Sequence, residues 1–247
     1  MTETRDDWFL GGRLAITQPV VGYRAATDPV LLAAAVPARA GDNVLDLGCG
    51  VGTAALCLGA RVAGLALAGL EVQPDYAALA RANAKRAGQA MEVVEGDLRE
   101  MPAALKARSF DVVMANPPYH PAHDIPSPDA ARDRANRLDA GVDEWVMAAL
   151  SRTRPGGHVV LIQRVERLPE IVAALSGPAG DVSVLPLAAR EGRPAKRVIV
   201  RARKSSKGPF RLAAPLVLHS GAVHLSDRDD FSQAATAILR GGAALEF

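Results

Sequence analysis

The stretch Val44-Leu45-Asp46-Leu47-Gly48-Cys49-Gly50-Val51-Gly52 decides how the rest of the chain is read. An apolar run with one acid inside it enters a turn rich in glycine, and Thr53 to Val62 then shows the apolar spacing of a helix. Glycines let the backbone take positive φ and come close to a ligand, while a helix N-terminus offers free N–H groups. Strand, turn and helix together form a cradle for a nucleotide-like cofactor. The dinucleotide fingerprint spaces its glycines G-x-G-x-x-G, whereas this chain reads G-x-G-x-G with Asp46 two residues ahead of the first glycine. A carboxylate there repels a pyrophosphate and attracts an ammonium group, which favours S-adenosylmethionine, with its amino-acid moiety, over NAD.

Outward from this turn, short Val- and Leu-rich runs alternate with longer Ala-rich amphipathic stretches, the pattern of βα units on a mostly parallel sheet. Strands are predicted at Asn43 to Leu47, Ala66 to Glu71, Met91 to Glu95, Phe110 to Ala115 and His158 to Gln163. Helices are predicted at Thr53 to Val62, Pro74 to Ala87 and Gly141 to Thr153, and Asp28-Pro29 reads as an N-cap with proline at the first helical position, opening a helix over Val30 to Val36. Beyond Pro186 no helix of crossover length separates Lys196 to Arg203 from Pro215 to His219, so an antiparallel edge is expected there. The fold class that follows is α/β: a doubly wound, mostly parallel, seven-stranded sheet with an antiparallel edge. The aperiodic segment His120 to Leu138 reads as a functional loop or a solvated insertion.

Two further acids stand at the ends of strands. Glu71 ends the second predicted strand nineteen residues after Gly52, where a carboxylate can accept from both ribose hydroxyls. Asp97, followed by Leu98, comes after the third strand, where its carboxylate can accept from an adenine amino group. Asp46, Glu71 and Asp97 at three successive strand ends converge on one place, because ligands of open α/β sheets bind at the carboxyl ends. After the fourth strand stands Asn116-Pro117-Pro118-Tyr119. The prolines fix φ and present a carbonyl outside any regular ladder, the Asn amide oxygen is a second acceptor, and Tyr119 offers a ring on which a base can stack. Two acceptors on one planar amine draw its lone pair out of conjugation and aim it at an in-line methyl sulfonium.

Composition bounds these readings. The chain has 247 residues, 49% hydrophobic and 23% charged, enough to form a large core without disulfide or metal staples. Cys49 and Cys57 do not make a disulfide framework or a zinc site, which fits a reducing, cytoplasmic setting. The longest apolar runs, such as Val62 to Leu70, are too short to span a membrane, and the mixed charges near the start do not resemble a secretion signal. The five histidines include no H-E-x-x-H spacing, so no metal is expected, and His120 and His123 read as loop residues. Net charge is only +2, yet Arg190 to Lys207 holds eight basic residues against Glu191 alone. Such a cluster is an electrostatic footprint for RNA or a solvated strand face.

The glycine motif, Glu71, Asp97 and the NPPY tetrapeptide resemble those of class I S-adenosylmethionine-dependent methyltransferases acting on exocyclic or amide amines. Gly22-Tyr23-Arg24 and Thr27-Asp28-Pro29-Val30-Leu31-Leu32 further resemble the bacterial group that methylates the N6 amine of an adenine beside the anticodon of a valine tRNA. The resemblance implies a cofactor held by Thr27, Asp46, Gly48, Gly50, Glu71, Asp97 and Leu98. It also implies a target amine held by Asn116, Pro117, Pro118 and Tyr119, a short N-terminal helical extension over residues 1–40, and a catalytic domain over 41–247. Adenine N6 in tRNA is the leading substrate, with RNA met through the window Arg190 to Lys207. A protein glutamine amide is the alternative, and a non-catalytic module that binds S-adenosylmethionine or RNA is a second.

Overall fold

The computed structural model describes residues 3–119, 140–221 and 230–247. The segment His120 to Leu138 therefore lies outside the described residues. The chain begins with a hairpin of β1 (Thr4–Phe9) and β2 (Leu14–Pro19), paired antiparallel with Phe9 opposite Leu14. The helical reading of this region is thus corrected. Leu14, Ile16 and Gln18 are buried on alternate residues of β2, the period of a strand, while the charged Arg5, Asp6 and Asp7 obscure that period in β1. The predicted helix follows as α1 (Thr27–Ala35), but Ala26 is its N-cap and Asp28 lies inside the first turn. Asp28 caps nothing because its carboxylate is engaged elsewhere, as described below.

The predicted βα units follow in order. They are β3 (Asn43–Leu47), α2 (Thr53–Arg61), β4 (Ala66–Glu71), α3 (Pro74–Arg86), β5 (Met91–Glu95), the short α4 (Ala103–Lys106) and β6 (Phe110–Ala115). Next come α5 (Val142–Arg152), β7 (Thr153–Arg164), α6 (Leu168–Leu175), β8 (Ala179–Ala188) and β9 (Ala195–Lys204). Two-residue strands β10 (Arg211–Leu212) and β11 (Leu216–Val217) precede a last helix, α7 (Gln233–Leu239).

The long strands lie in the order β8-β9-β7-β6-β3-β4-β5, and β10 and β11 both pair with β8, so the sheet has nine strands where seven are expected. All neighbours are parallel except β9, which runs antiparallel to β7 and to β8. The antiparallel strand therefore sits inside the sheet, with β8 and then β10 and β11 beyond it. From β3 the chain winds outward through β4 and β5, then returns to the other side of β3 with β6. That reversal makes the carboxyl ends of β3 and β6 the switch point at which α/β sheets open a crevice.

Alternation along β3 splits the core. Val44 faces α1, α2 and the hairpin, packing with Ile16, Leu31 and Leu56, whereas Leu45 and Leu47 face α5 and α6 with Trp145, Val146 and Ile171. Among the described residues no helix is long and apolar enough to cross a membrane.

Candidate active site

A cavity of about 450 Å³, within the range of small-molecule sites, opens at the carboxyl ends of β3 to β6. Gly48 and Gly50 line it from the turn after β3, Glu71 from the end of β4, Asp97 and Leu98 from beyond β5, and Asn116 to Tyr119 from beyond β6. Two residues expected on the wall are not on it. Thr27 starts α1 half-buried and does not line the cavity, and Asp46 is buried behind the glycine turn.

Each element brings its residue here for a local reason. Gly48 takes φ +66°, and a Cβ on it would lie 2.5 Å from the Trp145 ring, so the turn and α5 can meet only through glycine. Gly50, also at positive φ, has open space where a side chain would stand, and its N–H donates to Glu71 Oε2 at 2.8 Å. Glu71 Oε1 accepts from the Gln73 N–H at 2.9 Å. Each carboxylate oxygen keeps a lone pair for a further donor. Burial raises the Glu71 carboxyl above its ordinary value despite those donors and the Val72 N–H.

Asp46 is pushed up to about 8, first by burial and also by the neighbouring Glu71 charge. It accepts a hydrogen bond from the Ala55 N–H, one of the free donors at the start of α2, while its Oδ2 has no partner among the described residues. Asp97 is held below the usual carboxylate range, chiefly by the Arg99 side chain, which reaches Oδ1 and Oδ2 with Nε at 3.1 and 3.2 Å and Oδ2 with a terminal nitrogen at 2.7 Å. An adenine amino group there has to share Asp97 with Arg99.

The NPPY segment is held from three sides. Asn116 Nδ2 donates to the Tyr23 hydroxyl at 3.1 Å, which leaves Asn116 Oδ1 as an acceptor. Tyr23 as a residue is 47% exposed. Its hydroxyl is nonetheless pushed up to about 12, first by desolvation and then by the Asp46 charge. Gln163 Nε2, buried at the end of β7, donates at 3.3 Å to the carbonyls of both Pro117 and Pro118. The Tyr119 hydroxyl donates to Asp28 Oδ2, and Arg197 pairs with Asp28 Oδ1. This engagement, spanning 169 residues of chain, is what draws Asp28 away from capping.

Sequence reasoning missed Tyr23, Tyr76 and Trp145 as wall residues and Gln163 as the support of the Pro117 and Pro118 carbonyls. The signal for Tyr23 lay in Gly22-Tyr23-Arg24; that for Gln163 was an amide closing an apolar strand. The basic window is also corrected in part. Because β9 crosses the whole sheet, Arg190, Arg193, Lys196 and Arg197 lie toward the carboxyl ends, whereas Arg201, Arg203 and Lys204 lie toward the amino ends. Arg190 pairs with Asp230, and Lys204 donates to the carbonyls of Leu150 and Thr153. Only the first half of the window adjoins the cavity's end of the sheet.

A glycine turn at the switch point, an acid ending the next strand and an apolar, tyrosine-walled cavity define a class I fold of the S-adenosylmethionine-dependent methyltransferases. The methyltransferase small domain description matches residues 25–163, and the chain belongs to that family.

Among curated relatives, a release factor glutamine methyltransferase of Geobacter sulfurreducens is 32% identical over 62% of this chain and 56% of its own. A tRNA1(Val) (adenine(37)-N6)-methyltransferase of Glaesserella parasuis is 28% identical over 60% of this chain and 62% of its own. The chain thus spans less than two thirds of the length of these two relatives. A solved structure from Agrobacterium tumefaciens, described as a predicted O-methyltransferase, superposes with TM-score 0.71 at 27% identity over 88% of this chain and 98% of that one.

The residues present fit S-adenosylmethionine. The buried, unpartnered Nε1 of Trp145, a residue of the cavity wall, is a polar atom left for a ligand or a bridging water, and the two acceptors on Glu71 suit a ribose. Among the described residues no group of three or more His, Cys, Asp or Glu side chains could hold a metal ion.

Proposed function

We propose that this protein methylates an exocyclic amine, adenine N6 of a tRNA, in the cytoplasm. The observation that carries the reading is the position of Asn116 to Tyr119 on the same cavity as the glycine turn and Glu71. When bound, S-adenosylmethionine supplies a methyl group on a positively charged sulfur. Asn116 Oδ1 and the Pro117 carbonyl would accept the two N–H groups of the amine and so orient its nitrogen lone pair. The nitrogen would then be placed to take the methyl group that the cofactor supplies, with the surplus proton released to water. The Tyr119 ring stacks on the base while Asp28 and Arg197 fix its hydroxyl end. Tyr23 and Gln163 hold the two acceptors in place, so little reorganisation is left for the reaction itself.

The relative acting on a release factor glutamine supports a second reading, since an amide –NH₂ is also planar and has two protons to donate. One experiment addresses both readings. Methyl transfer is measured with unmodified tRNA and with unmodified release factor, using wild type and Asn116→Ala. Transfer to tRNA, cut on the order of a hundredfold or more by Asn116→Ala with cofactor affinity nearly intact, is the expected result. Transfer to the release factor alone overturns the RNA reading. A parallel loss of cofactor binding in the variant removes Asn116 from the chemical step.

A further inference from the structure

A second cleft, of about 580 Å³, lies at the amino ends of the strands, on the opposite margin of the sheet from the cofactor cavity. Five arginines reach it from separate places: Arg39 before β3, Arg154 at the start of β7, Arg201 and Arg203 on β9, and Arg211 on β10. His158 of β7 stands among them.

Three aspartates also line the cleft, but each is committed. Asp111 accepts from the Asn43 N–H at 2.8 Å and pairs with Arg154 at 2.5 Å. Asp42 accepts from the Arg39 N–H at 2.8 Å, and Asp181 accepts from the Ser206 hydroxyl at 2.6 Å. Among the described residues, Arg39, Arg203 and Arg211 have no carboxylate within salt-bridge distance. Arg203 Nε donates only to the Gly156 carbonyl at 3.0 Å, and Arg211 Nε lies 3.4 Å from the Ser183 hydroxyl. Arg201 stacks on the Phe247 ring with its guanidinium carbon 4.5 Å from the centroid.

Five arginines against three aspartates leave this cleft with an excess of positive charge. Its effect shows on His158, whose imidazolium is disfavoured first by desolvation and then by Arg201 of β9, Arg203 of β9 and Arg154 of β7, with Asp181 of β8 acting the other way. Arg201 is likewise held down, first by desolvation and then by the like charge of Arg211, with Glu246 acting the other way. Five guanidiniums with fewer carboxylates among them repel one another, and an anion with oxygens on several sides relieves that repulsion.

We propose that this amino-end cleft is a phosphate-binding site, separate from the cofactor cavity. The phosphate comes either from the backbone of an RNA that reaches around the sheet margin or from a free phosphate compound. The RNA source rests on the function proposed above; the site itself does not, because phosphate binding requires no methyl transfer.

Inorganic pyrophosphate is the probe. Calorimetry on wild type, on Arg203→Gln/Arg211→Gln and on Arg39→Gln reads its affinity, and a proton NMR titration follows the His158 ring. Saturable binding that raises the His158 pKa and weakens at least tenfold in the double variant is the expected result. Arg39 makes no side-chain hydrogen bond among the described residues, so Arg39→Gln keeps the test valid if the double variant folds poorly. S-adenosylmethionine affinity stays unchanged in both variants. The source is read from the salt dependence of unmodified tRNA binding. A log–log slope flattened by roughly 0.7 to 0.9 per lost contact assigns the phosphate to RNA, and an unchanged slope with weakened pyrophosphate binding assigns it to a free compound. No saturable pyrophosphate binding together with identical tRNA slopes overturns the site.

Discussion

The two ends of the sheet handle charge differently, and the backbone explains why. At the carboxyl ends helices begin, and their free N–H groups hold carboxylates: Asp46 takes the Ala55 N–H of α2, and in the turn before that helix Glu71 takes the Gly50 N–H. At the amino ends helices finish, and cations take the leftover carbonyls. Arg61 donates to Ala33 and Val36 at the end of α1, Arg152 to Leu105 in α4, and Lys204 to Leu150 in α5. Helix polarity thus sorts charge between the margins before any ligand is considered. The ends then differ in how far they are enclosed. Glu71 is 5% exposed and lines the cavity, so its charge is costly and directed at a ligand, with Asp46, 2% exposed, buried behind the glycine turn. At the other end, by contrast, Arg39, Arg154, Arg203 and Arg211 are exposed and Arg201 is half-buried.

This contrast predicts effects of decreasing size. Glu71→Ala removes both carboxylate oxygens from the ribose position and leaves the Gly50 N–H without its acceptor. S-adenosylmethionine affinity is expected to fall by about 1 to 3 kcal/mol, as read by calorimetry. An unchanged affinity would separate the acid from the cofactor.

A smaller and pH-dependent effect is expected for Asp46→Asn. The Asp46 carboxyl is raised from 3.8 to about 8, so the folded state binds its proton more tightly than the unfolded chain does. Its contribution to stability is full below pH of about 4 and declines as pH rises toward 8. Asp46→Asn removes that decline, so thermal melting measured from pH 5 to 9 gives a flatter profile than wild type, with the variant gaining most at the alkaline end. A profile parallel to wild type would mean that Asp46 is already ionised in the folded protein.

The smallest effect belongs to the other margin. Arg154→Gln breaks the pair with Asp111, but the Arg154 side chain is 54% exposed. A cost of about 0.5 kcal/mol or less is expected in urea unfolding. A loss as large as a core substitution would show that the amino-end charges hold the fold, and the contrast between the two ends would collapse.

Most of the cavity wall was legible in sequence order. The strands at 43–47, 66–71, 91–95 and 110–115 end where the periodicity ends, and nine of the eleven expected site residues, all except Thr27 and Asp46, surround one cavity. The reason is local. Glycines in a turn, acids at strand ends and prolines after a strand each restrict the backbone within a few residues, so their chemistry is visible without knowing what lies across the fold.

What the sequence by itself determined is therefore the cradle: the strand, glycine turn and helix over 43–61, the acids that follow it in order, and the proline-fixed acceptors at 116–119. Tertiary structure alone decided the rest. Asp28 looks like a helix cap until Arg197 and Tyr119 are brought to it, and Gln163 is one amide in an apolar strand until β7 lies beside β6 and aims it at the Pro117 carbonyl. The basic window looks like one patch until β9 carries its two halves to opposite ends of the sheet. In each case the deciding partner is dozens of residues or more away, and a carboxylate, amide or guanidinium gains its role from the charge or hydrogen-bonding group that packing sets beside it.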